Sequence, residues 1–511
     1  MALSAVIAAI FGLASCNEAS GDPTDTSSAV TGTSAVQTSE SSAQSTTEPS
    51  ATTTPEDVKM DYKAVKMITA ATTEKKRTYK SSSGDESALI VNGKKTVNLT
   101  SPVINKTGDS GSIDNSSLYG VNAAFLAIGS PKVQITGGTI TTKGKGAAGI
   151  FSYGGYGEVN GLSGDGTTVT VSDAKINTSD DNSAGLMVSG AGKAKATDLT
   201  VTTAGNSSPA IGSSQGGGTI NVSNGTYTTN GAGSPAIYGT ADVTVKGAKL
   251  ISNQSEGIIV DGNGSVKLVN TNLTVNNTKL SENSKFFSSI RLFRPVQGDT
   301  NNTLTSFAMT YGTLTSMNGH IFHVTNTNAA ISLSNVKVVN QDKAKNVVLL
   351  SVCPDGWKGN VNVAVFNASK TALTGDILVA KKGKLTINFS SGTTWTGAIK
   401  GEITSADGKK ISEEQGIVYI NMSSDCKWTL TEDTYVTSFS GNMDNVNLNG
   451  HKLYVSGTTT TPTAVPTPKT LFKKKPTSKP TKKPTKKPTK KPTKKPTKKP
   501  VTTTKVVTPD P

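Results

Sequence analysis

The sequence predicts an all-β chain built as a parallel β-helix, and three observations carry that reading. The first is composition. Of 511 residues only 34% are hydrophobic and 5% aromatic, beside 51 glycines, which excludes a helix-rich enzyme core. The second is a repeated octet, apolar-x-apolar-x-turn-x-x-apolar, with a base period of about 24 residues. The third is a short apolar step midway through each period. A single coil of this kind cannot bury its apolar face, so stacked coils must stabilise one another.

Taken from the N-terminus, residues 2–15 form an apolar run shorter than the ~20 residues that span a bilayer, and they read as the core of a signal peptide. The run ends in Leu13, Ala14, Ser15 and Cys16, which resembles the bacterial lipobox. The resemblance implies a lipoprotein signal over 1–16, lipid attached at Cys16, and a place on the extracellular side of the cell membrane. Two or three acyl chains, at ~0.8 kcal/mol per buried CH₂, hold a protein there stably. Residues 17–87 read as a disordered stalk, because up to about residue 57 the chain is Ser, Thr, Ala and acid, with no Lys or Arg before Lys59.

The β-helix is expected over 88–456. Its octets are Val133, Ile135, Gly137, Ile140; Val169, Val171, Asp173, Ile176; Ala194, Ala196, Asp198, Val201; and Ile220, Val222, Asn224, Tyr227. They continue as Val243, Val245, Gly247, Leu250; Val266, Leu268, Asn270, Leu273; Phe307, Met309, Tyr311, Leu314; and Ile331, Leu333, Asn335, Val338. Alternation places two residues inward on a strand, the fifth place takes a turn conformation, and the eighth points inward again. A third strand follows at Ala148, Gly149, Ile150 and its counterparts Ala184 to Leu186, Pro209 to Ile211, Pro235 to Ile237 and Glu256 to Ile258. Three strands per coil at ~4.8 Å per rung predict ~15 coils and a rod of ~70 Å. An antiparallel sandwich is the alternative, but hairpin sheets have no reason to hold such a period.

Residues 457–511 read as a disordered tail with Thr-Lys-Lys-Pro five times between 481 and 500. Proline at every fourth place favours polyproline II and presents the lysines to solvent. Lys482, Lys483, Lys486, Lys487, Lys490, Lys491, Lys494, Lys495, Lys498 and Lys499 are therefore candidates for binding an anionic cell-wall polymer. With 16 Lys and one acid after residue 456, the tail carries nearly all of the formal charge of +16, and the body is close to neutral. No aromatic residue is interleaved with the lysines, so specific nucleic-acid recognition is not expected.

The stacked octets resemble pectate-lyase-like right-handed β-helices of bacterial surfaces, and more closely a group of lipoproteins and adhesin-like proteins of anaerobic Firmicutes. Late segments such as Lys427, Trp428, Thr429, Leu430 and Asn445 to Gly450 share in it. The resemblance implies adhesion or polysaccharide binding. A related clostridial family repeats an Asp-Asp-x-Ile-His step; here the place holds Asp180, Asp181, Asn182 and Ser183, so no calcium or ligand site is carried over.

Catalysis on acidic polysaccharide needs converging carboxylates, or carboxylate-bound calcium with an Arg or Lys base. Asp180 and Asp181 read as a solvated turn pair, and Arg291 and Arg294 have no repeated acid beside them. His320 and His323, at i and i+3 on a strand, are expected on opposite faces, a poor zinc pair. No catalytic residue, metal or cofactor is expected. Cys353 and Cys426 are separated by about three coils, or ~14 Å, beyond the ~7 Å reach of a disulfide, and read as buried thiols.

Departures from the period point to binding loops. The 36-residue repeat holds Phe151, Tyr153 and Tyr156; the 41-residue repeat holds Phe286, Phe287, Arg291, Phe293 and Arg294. These are the carbohydrate-binding candidates, since protruding aromatic faces stack on sugar rings; the other reading folds them back onto the solenoid's side. Threonines at 139, 141, 142, 226, 228 and 229 are not expected to keep register from coil to coil. The functional expectation is a non-catalytic surface lipoprotein for adhesion or polysaccharide binding, with a polysaccharide lyase or hydrolase, or a purely structural envelope protein, as alternatives.

Overall fold

The computed structural model describes residues 60–155, 164–281, 284–295, 304–343, 347–356 and 362–456. The lipobox, the first part of the expected stalk, Tyr156 and the basic tail lie outside the described residues.

The octets stack in register. Ile135 pairs with Val171, and the same inward column continues through Ala196, Val222, Val245, Leu268, Met309 and Leu333. Each of these side chains is at most 2% exposed, which contributes ~1.5–3 kcal/mol for the larger ones. The fifth octet place sits in the left-handed region in all eight repeats: Gly137, Asp173, Asp198, Asn224, Gly247, Asn270, Tyr311 and Asn335 have φ between 48° and 67°. Gly and Asn adopt that conformation at little cost, and it turns the chain from one sheet into the next.

Three strands per coil build three parallel sheets. Sheet A has 13 strands, from Lys63–Ile68 to Ile399–Lys400; sheet B has 14, from Thr72–Lys75 to Ser438–Ser440; sheet C has 10, from Thr78–Ser81 to Lys337–Asn340. A four-stranded sheet from Ala372–Thr374 to Val446–Asn447 follows sheet C. The fold is a right-handed parallel β-helix. Its late core is aromatic: Phe322, Phe366, Phe389 and Trp395 follow one another at centroid separations near 6 Å, and Trp395 stacks on Trp428 at 4.8 Å.

The turn from sheet C to sheet A carries a buried serine ladder. The Ser183 hydroxyl accepts the Ala147 N–H, Ser208 accepts that of Ser183, and Ser234 accepts that of Ser208, at 2.9–3.0 Å. Backbone donors that would otherwise be orphaned inside the turn are satisfied by the next coil.

The β-helix starts earlier than its expected bound of residue 88. Strands Lys63–Ile68, Thr72–Lys75 and Thr78–Ser81, inside the expected stalk, form a complete first coil. Its inward columns hold Lys66 opposite Leu89 and Glu74 opposite Leu99, and the Tyr79 hydroxyl donates to Glu74. A terminal coil has core on one side only, so polar residues suit it and mask its apolar period.

Sheets B and C present alternating outward side chains to solvent, whereas sheet A beyond its first strand is largely buried on both faces. The helix Ile113–Tyr119 lies against the outward side of sheet A. Ser112 caps it by accepting the Asn115 N–H, and Gly120 ends it at φ 74°. A side chain at Gly120 would come within 2.8 Å of Leu126 and Phe151, so the helix end is seated directly on outward residues of the sheet. Among the described residues no helix is long and apolar enough to cross a membrane.

Candidate functional site

Among the described residues, the aromatic and basic candidates are folded back onto the solenoid rather than protruding. Phe151 and Phe293 have no exposed surface, and Phe286 and Arg291 are each 2% exposed. Tyr153, Phe287 and Arg294 are half-buried. The described parts of the insertions fold back onto sheet A because its outward column, running Leu126, Phe151, Met187, Gly212, Tyr238, Ile259, Arg291, His323, Ser351, Leu378, is too apolar to leave in water.

A polar cluster interrupts that column. Asp355 accepts the Lys285 N–H at 2.5 Å and the Ser284 hydroxyl at 3.3 Å, and faces His323 Nε2 at 3.2 Å. His323 Nδ1 lies 2.7 Å from the Ser351 hydroxyl, and His320 Nδ1 lies 2.8 Å from the same oxygen. Ser351 has a single hydroxyl proton, so it can donate to only one of the two imidazole nitrogens beside it, while His323 Nε2 faces the Asp355 carboxylate. The two histidines therefore converge, contrary to the expectation of opposite faces. His320 opens its strand directly after Gly319, which is at φ 71°, and is not held to the strict alternation.

Burial lowers the His320 pKa to about 3, His323 adds to the fall and Asp355 opposes it. Burial alone would raise Asp355, but His323, Arg291 and the Lys285 N–H outweigh it and hold the carboxyl below its usual range. Beside them Glu256 accepts the Ser281 and Ser255 hydroxyls and lies 3.3 Å from Arg291. The hydroxyl–imidazole–carboxylate order is that of a nucleophile relay. Here, however, Ser351 and His323 have no exposed surface, and the Phe286 ring lies 5.0 Å from His323 and 5.1 Å from His320. As folded, the cluster acts as a clasp: Asp355 holds Ser284 and Lys285, and Glu256 holds Ser281, against sheet A. One signal for it was in the sequence, since Glu256 stands where the other coils have Ala148, Ala184, Pro209 and Pro235.

Sheet B presents a different surface. One outward column runs Asn98, Gln134, Thr170, Lys195, Asn221, Thr244, Lys267, Ala308, Ser332, Asn367, Asn388, Asn421. Its last members form an amide ladder: Asn421 Nδ2 donates to Asn388 Oδ1 at 2.8 Å, and Asn388 Nδ2 to Asn367 Oδ1 at 2.9 Å. Beside it the Lys384 ammonium lies 5.7 Å from the centre of the Tyr419 ring. Such a face offers donors and acceptors at strand spacing, ~4.8 Å apart.

On sheet C the outward threonines at 226 and 228 match over two rungs only, Thr200 with Thr226 and Thr202 with Thr228. Lys175 with Asn177 and Lys249 with Ile251 interrupt the array. Asp180 and Asp181 sit in the turn between sheets C and A, where Asp181 accepts the Asn206 N–H. Cys353 and Cys426 are free and buried, as the coil spacing required. Burial pushes the Cys353 thiol well up. Among the described residues no group of His, Cys, Asp and Glu is placed to hold a metal ion.

Fold and faces define a parallel β-helix with its third sheet covered and two polar sheets open. No protein-family model, curated protein or solved structure matches the chain.

Proposed function

We propose that this chain is a lipid-anchored cell-surface protein that displays a non-catalytic β-helix for adhesion or polysaccharide binding. The observation that carries the reading is the outward face of sheet B, a flat array of Ser, Thr, Asn and Lys repeated rung by rung. Glycan hydroxyls are donors and acceptors at once, and a rigid array of amides and hydroxyls meets them without ordering flexible loops. The two buried carboxylates beside the histidines, Asp355 and Glu256, are engaged in the clasp over sheet A. In this reading Cys16 supplies the membrane anchor and the tail lysines contact an anionic wall polymer. Probing the full chain on an array of immobilised cell-wall polysaccharides tests it. Retention of one polysaccharide class supports the reading, and retention of none overturns it.

A further inference from the structure

The outward face of sheet B is not uniform. Its six rungs from Lys132–Thr136 to Ser265–Val269 carry Lys132, Lys193, Lys195, Lys246 and Lys267 outward, all exposed. Against these five lysines they hold one acid, Asp242, whose carboxylate accepts the Ser265 hydroxyl. None of the five forms an ion pair with a described carboxylate. The nearby acids Asp173 and Asp198 are placed in the turns between sheets B and C, off the face. In the later rungs the central outward column of the same face is amide and hydroxyl, through Ser332, Asn367, Asn388 and Asn421. A body that is nearly neutral thus concentrates positive charge on one flat strip, which like-charge repulsion disfavours unless a counter-charge is bound.

We infer that this strip binds a linear polysaccharide bearing carboxylates, laid along the stacking direction. The five lysines occupy three neighbouring outward columns: Lys132 and Lys193 lie two rungs apart in one, about 10 Å and the order of a disaccharide, Lys195 and Lys267 lie three rungs apart in the second, and Lys246 stands in the third. Between them Thr168, Thr170, Asn221 and Thr244 offer partners for sugar hydroxyls. A nucleic acid is the weaker fit, because no aromatic side chain lies among these rungs to stack a base. The inference rests on the proposed binding function and assigns it a ligand class and a place distinct from the tail.

The full chain is mixed with carboxymethylcellulose, its carboxylates are coupled to nearby amines with carbodiimide, and the captured lysines are mapped by mass spectrometry. Capture at Lys193, Lys195, Lys246 and Lys267 several-fold above Lys175, Lys249 and Lys337 of sheet C is expected. Replacing the four with Gln should weaken salt-sensitive binding by about tenfold while leaving the melting temperature unchanged. Capture at tail lysines alone, or equally over both sheets, overturns the inference, as does equal competition by duplex DNA. Retention of hydroxyethylcellulose but not of its charged counterpart would overturn it while leaving the polysaccharide-binding function standing. Retention of neither cellulose derivative, together with a blank array, would remove both.

Discussion

Lys106 has no exposed surface and occupies an inward column of sheet C between Ser81 and Thr142. Its ammonium donates to the carbonyls of Ser83 and Gly108 at 2.7 and 2.6 Å, closing the turn into sheet A. Burial lowers its pKa to about 8 against the opposing pull of Glu86, Asp109 and Asp85. Because the folded pKa lies below the unfolded one, the unfolded chain holds the extra proton between pH 8 and 10.5. Stability should therefore rise with pH across that window. Denaturant titrations of the wild type against Lys106→Met should show a wild-type gain on the order of 3 kcal/mol by pH 10.5; parallel curves would contradict it. At the same scale the left-handed turns were readable, because Asn, Asp and Gly signal their conformation locally. Tyr311, at φ 57° and 54% exposed, was placed only by its position in the octet.

At the scale of the element, alternation decides which residues are inside. Val243 pairs with Ile220 on one side and Val266 on the other, and is 1% exposed, whereas Thr244 points outward. Val243→Asp leaves an unpaired charge desolvated between two rungs and should destabilise by roughly 3–5 kcal/mol. Thr244→Asp should shift stability by about 0.5 kcal/mol or less; thermal melts of equal depression would refute the assignment of faces. The clasp makes a second demand. Asp355→Asn removes the charge that His323 and the Lys285 N–H face, and should destabilise by about 3 kcal/mol, with limited proteolysis newly cutting near residues 281–287. An uncut segment would mean that apolar packing of Phe286 alone holds it. The octets and the third strand were legible because their period is local in sequence. The clasp was not, because Glu256, Arg291, His323 and Asp355 meet only after four successive coils are stacked. The first coil was missed for the opposite reason: Lys66 and Glu74 replace the apolar residues by which a coil is recognised.

In the proposed function the whole molecule divides labour among a lipid anchor at Cys16, the covered sheet A and the open face of sheet B. Expressed with its signal in a bacterial host, Cys16→Ser should move the protein from the membrane fraction to the soluble fraction; unchanged partitioning would remove the anchor from the account. The central claim is that the open face of sheet B, and not the covered outward side of sheet A, meets the ligand. Hydroxyl-radical footprinting of the full chain, with and without a polysaccharide that it retains, tests this most directly. Reduced oxidation is expected at Lys267, Lys384 and Tyr419 on sheet B, with Tyr153 and the helix Ile113–Tyr119 over sheet A unchanged. Protection of Tyr153 and that helix, with the sheet B residues oxidised as before, would contradict it.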